Sequence, residues 1–197
     1  MNLLICGDSF AADWTVKYND IGWPNMLAND HKITNLAQAG CSEYKIYKQL
    51  VSVNLTEYDA IIISHTSSNR IHVKSHPVHA NDLLHKHSDL IYTDIVEHSK
   101  SNKSLKPIVD YFENYFDLEY AIFVHTTICE KIEKHLNQFS GLVIHIATLP
   151  WDDLYYFNNM LSFEHLFKNH RGFMNHYNLR GNEIAYETIK TILDSKT

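Results

Sequence analysis

The alternation of short apolar runs with helical stretches is the feature that most constrains the fold of this chain. Four strongly apolar runs stand at positions 3–6, 33–37, 60–64 and 142–147, and small or polar residues follow each of them. Parallel strands covered on both faces have such continuous apolar sequences, and the helices between them supply the cover. The sequence therefore predicts an α/β fold in which a central parallel sheet lies between two helical layers.

Helical periodicity fills much of the sequence between these runs. A stretch at 23–28 carries a proline in its first turn, a second begins after Ser42, and a closing one covers 183–193. Between 107 and 140, apolar residues recur at steps of three and four, which predicts one long helix or two joined helices. The sequence contains no internal repeat and no linker.

The segment from 70 to 106 differs from the rest because it is polar, rich in His and Ser, and without sustained periodicity. We interpret it as an insertion that lies over the strand ends, where long ordered loops act as lids or binding loops, with disorder as the alternative. The 197 residues, 45% of them hydrophobic, otherwise fit one domain over positions 1–197.

Charge and cysteine content exclude several classes of protein. The net charge is −6 and no basic run interrupts it, so a nucleic-acid-binding face is not expected. Three scattered cysteines, Cys6, Cys41 and Cys129, argue against a disulfide framework and a structural zinc site. The first apolar run is too short for a signal sequence or a membrane span, so we expect a cytoplasmic protein.

Fourteen histidines are an unusual number for this length, and six of them fall in the insertion, among them His72, His76, His79, His85 and His87. Neither a cysteine nor a pair of carboxylates completes a ligand set, and loops lack the i, i+4 spacing of a helical zinc site. We therefore expect no metal and no cofactor, and histidines that are exposed or contact substrate.

Four residues that can carry chemistry follow the predicted strands or precede the last helix. Ser9, Gly40 and Asn69 follow the first three strands, and His176 lies just before the closing helix. Carboxyl ends of parallel strands share one edge of a sheet, where ligands bind. A hydroxyl, a backbone N–H, an amide and an imidazole suffice for acyl transfer through a serine nucleophile. Asp8 is expected to accept hydrogen bonds that stabilise its loop.

The order of these residues resembles the SGNH (GDSL-type) hydrolases, a family of esterases and lipases. The resemblance runs from Gly7-Asp8-Ser9 to the histidine loop before the last helix. It implies a flavodoxin-like α/β/α fold, Ser9 as nucleophile, His176 as base, and an oxyanion hole formed by Ser9, Gly40 and Asn69. It also implies an ester substrate, either a short acyl ester or an O-acetyl group on a carbohydrate.

Two positions depart from the family pattern. Ser67 and Arg70 replace the glycine and the aspartate of the third motif, and Phe173 replaces the aspartate three residues before His176. A backbone carbonyl could orient His176 instead, as could an acid after the fourth strand; the candidates are Asp152, Asp153 and Glu164. Losing the acid's help slows such enzymes by about 10⁴-fold.

Two other functions remain open. A non-catalytic domain of the same type could bind carbohydrate or peptide through the insertion. A nucleotide or flavin binder is the other alternative, although this sequence contains no glycine-rich phosphate loop. Aromatic residues from Tyr111 to Phe123 are expected to belong to a helix core. Those at Trp151, Tyr155, Tyr156 and Phe157 could line a pocket or pack in the core.

Overall fold

A computed structural model describes residues 1–149, 155–158 and 160–196. Its sheet has five parallel strands in the order β2-β1-β3-β4-β5. The strands are β1 Asn2–Gly7, β2 Lys32–Asn35, β3 Ala60–His65, β4 Leu142–Ala147 and β5 Met160–Ser162. The predicted parallel sheet is confirmed, and the fifth strand was missed because it has only three residues.

Seven α-helices are found among the described residues. They are α1 Trp23–Leu27, α2 Glu43–Leu50, α3 Tyr92–Ser99, α4 Lys106–Asn114, α5 Leu118–Leu136, α6 Glu164–Asn169 and α7 Leu179–Asp194. The stretch between 107 and 140 thus forms two helices rather than one. Asp117 separates them, since its side chain accepts a hydrogen bond from Tyr120 N at the start of α5.

The two faces of the sheet build two separate hydrophobic clusters. On β1, Leu3 and Ile5 face α1, α6 and α7, whereas Leu4 and Cys6 face α2 and α5. This alternation follows from the twofold period of strand side chains. The fold is therefore a three-layer α/β/α arrangement with helices on both sides of a parallel sheet, as the apolar runs predict.

The insertion is anchored to the sheet edge through its base. Ile71 and Leu90 pair across that base, and Asp89 accepts hydrogen bonds from Ser42 N at 2.7 Å and Val73 N at 2.8 Å. The following residues form α3, which buries Ile95. The segment therefore has a defined structure, with one helix and hydrogen bonds to the residue that precedes α2.

No helix among the described residues combines the length and the apolar character that crossing a bilayer requires.

Candidate active site

Ser9 lies on a tight turn directly after β1. The turn is held by Asp8, which is fully buried and accepts a hydrogen bond from Phe10 N at 3.0 Å. Gly7 allows β1 and β3 to approach, since a Cβ at Gly7 would lie 2.7 Å from Ser64 Cβ. Ser9 itself is 7% exposed. The sequence Gly7-Asp8-Ser9 therefore folds into a turn that presents the serine at the carboxyl edge of the sheet.

His176 lies on the loop before α7 and faces the same point as Ser9. Both residues line one small cavity of about 10 Å³, with Trp14 and Asp20 among its other walls. The His176 ring packs between aromatic rings, with centroid distances of 4.2 Å to Trp14 and 4.8 Å to Phe10. The structure thus brings together the two residues that the sequence assigns as nucleophile and base.

No described residue meets either ring nitrogen of His176 at hydrogen-bonding geometry, although both nitrogens are buried. Burial lowers the pKa of His176 to about 4, while the nearby backbone of Met174 and Phe173 acts in the opposite direction. The imidazole is therefore neutral at pH 7, which is the form that can accept a proton. Ser9 Oγ likewise makes no hydrogen bond to a described residue, so Ser9 and His176 are neighbours across the cavity without a direct bond.

The acids considered as partners of His176 take different positions. The Phe173 side chain points outwards and its ring packs on Tyr18 at 5.1 Å. Glu164 forms an ion pair with Lys168 at 2.6 Å. Asp152 and Asp153 lie outside the described residues. Among the described residues, Asp20, which no sequence pattern distinguished, is the carboxylate that lines the same small cavity as His176.

Gly40 and the insertion meet at the second strand end. Gly40 has a φ of 73°, in the left-handed region that favours glycine, and a Cβ there would lie 2.5 Å from Ser88 Oγ. Its carbonyl accepts a hydrogen bond from Asp89 N at 2.9 Å. Among the described residues, no acceptor binds the backbone N–H of Gly40 or of Ser9. Of the three residues assigned to the oxyanion hole, only Ser9 lines the small cavity that contains His176; Gly40 and Asn69 are not among its walls.

Asn69 and Arg70 occupy the loop after β3. Asn69 is exposed, and its Oδ1 accepts a hydrogen bond from Ser67 Oγ at 2.7 Å. Arg70 donates to the Cys41 carbonyl at 2.7 Å and to Asp8 Oδ2 at 3.3 Å. Burial raises the pKa of Asp8, and the Arg70 guanidinium opposes this effect. Arg70 therefore forms an ion pair with Asp8, which holds the serine turn.

A larger cavity of about 400 Å³ opens on the other side of Arg70. Its walls include the start of α2, the loop after β3, and tyrosines of the α4–α5 region, with Tyr115 75% and Tyr120 65% exposed. Phe123 is 66% exposed. The expectation that the aromatic residues between Tyr111 and Phe123 form a helix core is therefore wrong. The tyrosines line a cavity and Phe123 lies on the surface. Helical spacing of aromatic residues does not by itself distinguish a cavity wall or a surface from a core.

Glu43 and His125, which line this larger cavity, belong to a buried network of ionisable groups. Glu43 Oε1 lies 2.7 Å from His65 Nδ1, and His65 Nε2 lies 2.8 Å from His145 Nδ1. Burial alone would raise the pKa of Glu43, but His65 and His125 outweigh it and hold that pKa well below its usual range. The network keeps a negative carboxylate in the wall of the cavity, and no sequence pattern indicates it.

The aromatic residues after β4 divide between interior and surface. Phe157 is buried and its ring stacks on His65 and His145 at 4.3 and 4.1 Å, while Tyr156 is exposed. Tyr155 is partly buried and packs against the hydrophobic cluster that contains Phe157, on the α2 and α5 side of the sheet. Trp151 lies outside the described residues. Phe157 and Tyr155 thus serve core packing, one of the two roles expected.

The histidines of the insertion are less exposed than expected. His76 is 1% exposed, and His79 packs against it with a ring-centroid distance of 4.6 Å. Both lie beside Asp94 of α3. The ring of His85 lies 6.0 Å from that of Trp14, which in turn covers His176. His72 and His87 are on the surface.

Comparisons with known proteins identify no relative of this chain. No family model matches it, and neither the curated proteins nor the solved structures include a significant match. Any functional conclusion therefore depends on the site itself.

Proposed function

We propose that the protein is a serine hydrolase that cleaves carboxylic esters, with Ser9 as nucleophile and His176 as base. The observation that carries the proposal is that Ser9 and His176 line one cavity at the carboxyl edge of the parallel sheet. The order of Ser9, Gly40 and His176 along the chain and the all-parallel sheet agree with the SGNH-type fold that the sequence resembles. An ester of a small molecule or of a glycan is the proposed substrate.

In the first half of the reaction, neutral His176 removes the proton of Ser9 Oγ as that oxygen attacks the ester carbonyl. The tetrahedral intermediate then collapses. The bond to the alcohol oxygen breaks, and the leaving alcohol takes the proton from His176. Ser9 is left as an acyl-enzyme.

In the second half, His176 takes a proton from water, and the resulting hydroxide attacks the acyl carbonyl. The acid leaves and Ser9 Oγ regains its proton. The low pKa of His176 leaves the ring unprotonated at the start of each half, and it also makes the imidazole a weaker base than one with a pKa near 7.

The oxyanion of each tetrahedral intermediate would be held by the free backbone N–H groups of Ser9 and Gly40. Each such donor typically contributes about 10²–10³ in rate. The side-chain amide of Asn69 is the proposed third donor, and it must turn inwards to act because it is exposed. Asp20 is a further candidate, as the carboxylate that orients His176 once substrate is bound.

Substrate entry requires movement of the aromatic cover. A cavity of about 10 Å³ holds at most one water molecule, so an ester cannot enter the site as it stands. Trp14 lies directly over His176, and Tyr18 joins Trp14 to Phe173 through ring contacts of 5.8 and 5.1 Å. An outward shift of Trp14 would open a path to Ser9.

A non-catalytic binding domain is the second candidate. It is favoured by one observation: an aromatic-lined cavity of about 400 Å³ lies beside Arg70 and Glu43, whereas the cavity at Ser9 is only about 10 Å³. Exposed tyrosine rings suit stacking against a sugar ring or an aromatic side chain. In this case the Ser9 turn would be structural.

Hydrolysis of short-chain p-nitrophenyl esters separates the two functions. Ser9→Ala and His176→Ala should each lower kcat by at least about 10³-fold, and the double variant should be little worse than either, because members of one catalytic unit are not additive. Ser68→Ala, on the loop after β3, is the matched control and should retain the wild-type rate. Equal rates for wild type and Ser9→Ala would exclude the proposed enzyme.

A further inference from the structure

Two histidines of the insertion and an aspartate of α3 converge on one point outside the proposed active site. His79 Nε2 lies 3.2 Å from Asp94 Oδ2, and His76 Nε2 lies 3.5 Å from the same oxygen. All three potential ligand atoms lie within 4.8 Å of one another. We propose that His76, His79 and Asp94 bind a divalent transition-metal ion of the zinc type.

The spacing of these atoms fits a metal site. Ligands at about 2.0–2.1 Å from a tetrahedral zinc ion are separated from one another by about 3.3 Å. The two nitrogen-to-carboxylate distances lie on either side of this value. A small inward movement of the two rings would let one ion replace the direct contacts.

The environment of His76 provides an independent reason. Its side chain is buried, and its Nε2 has no hydrogen-bond partner among the described residues. Such an unsatisfied buried nitrogen is uncommon and needs an explanation. Once the ring proton lies on Nδ1, Nε2 can bind a metal ion that Asp94 also holds, which would give this nitrogen a partner.

The other nitrogen of His76 determines how the ligands differ. Nδ1 lies 3.2 Å from both Val78 N and His79 N and accepts their hydrogen bonds. Binding a metal through Nε2 moves the ring proton to Nδ1, so these two N–H groups must turn aside. We therefore assign His79 and Asp94 as the primary ligands and His76 as the ligand that closes on the ion last.

The donor set selects the class of metal. Two imidazoles and one carboxylate suit Zn²⁺, Co²⁺ or Ni²⁺, whereas Mg²⁺ and Ca²⁺ require mainly oxygen ligands. His98, four residues after Asp94 on α3, places Nδ1 3.4 Å from Asp94 Oδ1 and 2.9 Å from the Asp94 carbonyl oxygen. It can therefore hold the carboxylate-bearing turn in place, and a water molecule would complete the coordination.

The site would join two parts of the insertion. His76 and His79 belong to the loop that Ile71 and Leu90 close, while Asp94 lies on α3 beyond that closure. An ion that binds only the folded arrangement stabilises it by mass action. The metal would thus stabilise the packing of this loop against α3.

Metal titration of the tag-free, EDTA-treated protein tests the proposal. Calorimetry with Zn²⁺ should give one site per chain, and Co²⁺ should give the visible absorption of a tetrahedral complex. His79→Ala and Asp94→Asn should each weaken binding by more than about 100-fold, since even outer partners of metal ligands are worth 10–100-fold. His87→Ala, an exposed histidine of the same segment, should bind as the wild type does.

The far-UV circular dichroism spectrum and the Tm in EDTA establish that each variant is folded. His79→Gln is used in place of any variant that fails to fold. The absence of a one-to-one site in the wild type would overturn the proposal, as would equal affinity of Asp94→Asn and His87→Ala. The measurement uses no ester and can be repeated on Ser9→Ala. Its outcome is therefore independent of whether the protein is a hydrolase.

Discussion

At the scale of single residues, His176 has the most unusual environment. Its ring lies between Trp14 and Phe10, and the position three residues earlier, where the resembled family has an aspartate, is occupied by Phe173. The sequence predicts its place ahead of α7 but not its surroundings. Trp14 and Asp20 come from a loop that has no motif, and only the folded chain brings them to the histidine.

This environment predicts an acid-shifted activity profile. kcat/KM follows the neutral fraction of the base in the free enzyme. Because burial lowers the pKa of His176 to about 4, the ordinary value being 6.5, kcat/KM should stay nearly level from pH 8 to about pH 5 and fall below pH 4. Ester hydrolysis measured across this range, with circular dichroism at each pH, provides the check. Half of the activity lost already near pH 6.5 would show that the ring is not buried as described.

At the scale of elements, the sequence predicts strands better than it predicts helices of the insertion. Fully buried parallel strands need apolar residues at every position, so β1, β3 and β4 stand out in the sequence. Helix α3 was missed because it buries only Ile95, and its remaining residues read as polar loop. Helix α7 begins at Leu179, four residues earlier than its apolar spacing suggests, directly after the cap residue Asn178.

The cap of α7 connects helix stability with the active site. Asn178 accepts a hydrogen bond from Gly181 N at 3.0 Å and lies two residues after His176. Asn178→Ala should cost about 1 kcal/mol in the free energy of unfolding, as loss of a helix cap does, and should also lower kcat/KM by displacing the histidine loop.

Asp117→Ala is the matched control, because Asp117 caps α5 away from Ser9. It should cost a similar amount of stability and leave kcat/KM unchanged. Urea unfolding and ester hydrolysis of both variants provide the test. Equal kcat/KM in the two variants would show that the α7 cap does not position the histidine loop.

At the scale of the whole molecule, the α/β/α architecture follows from the sequence, whereas the distribution of cavities does not. The apolar runs predict which residues are buried, since burial of apolar surface drives the fold. They do not show that the tyrosines of α4 and α5 line a 400 Å³ cavity or that Ser9 shares a small cavity with aromatic side chains. Those features depend on where distant loops meet, and no local pattern encodes them.

Reaction with a fluorophosphonate tests the central claim most directly, because this reagent forms a covalent bond with an activated serine and needs no knowledge of the natural ester. Intact-mass analysis should show one adduct per wild-type chain, and peptide mapping should locate it at Ser9. Labelling should disappear in Ser9→Ala and fall sharply in His176→Ala. A folded wild-type protein that stays unlabelled, or that is labelled equally well after Ser9→Ala, would contradict the assignment of Ser9 as nucleophile.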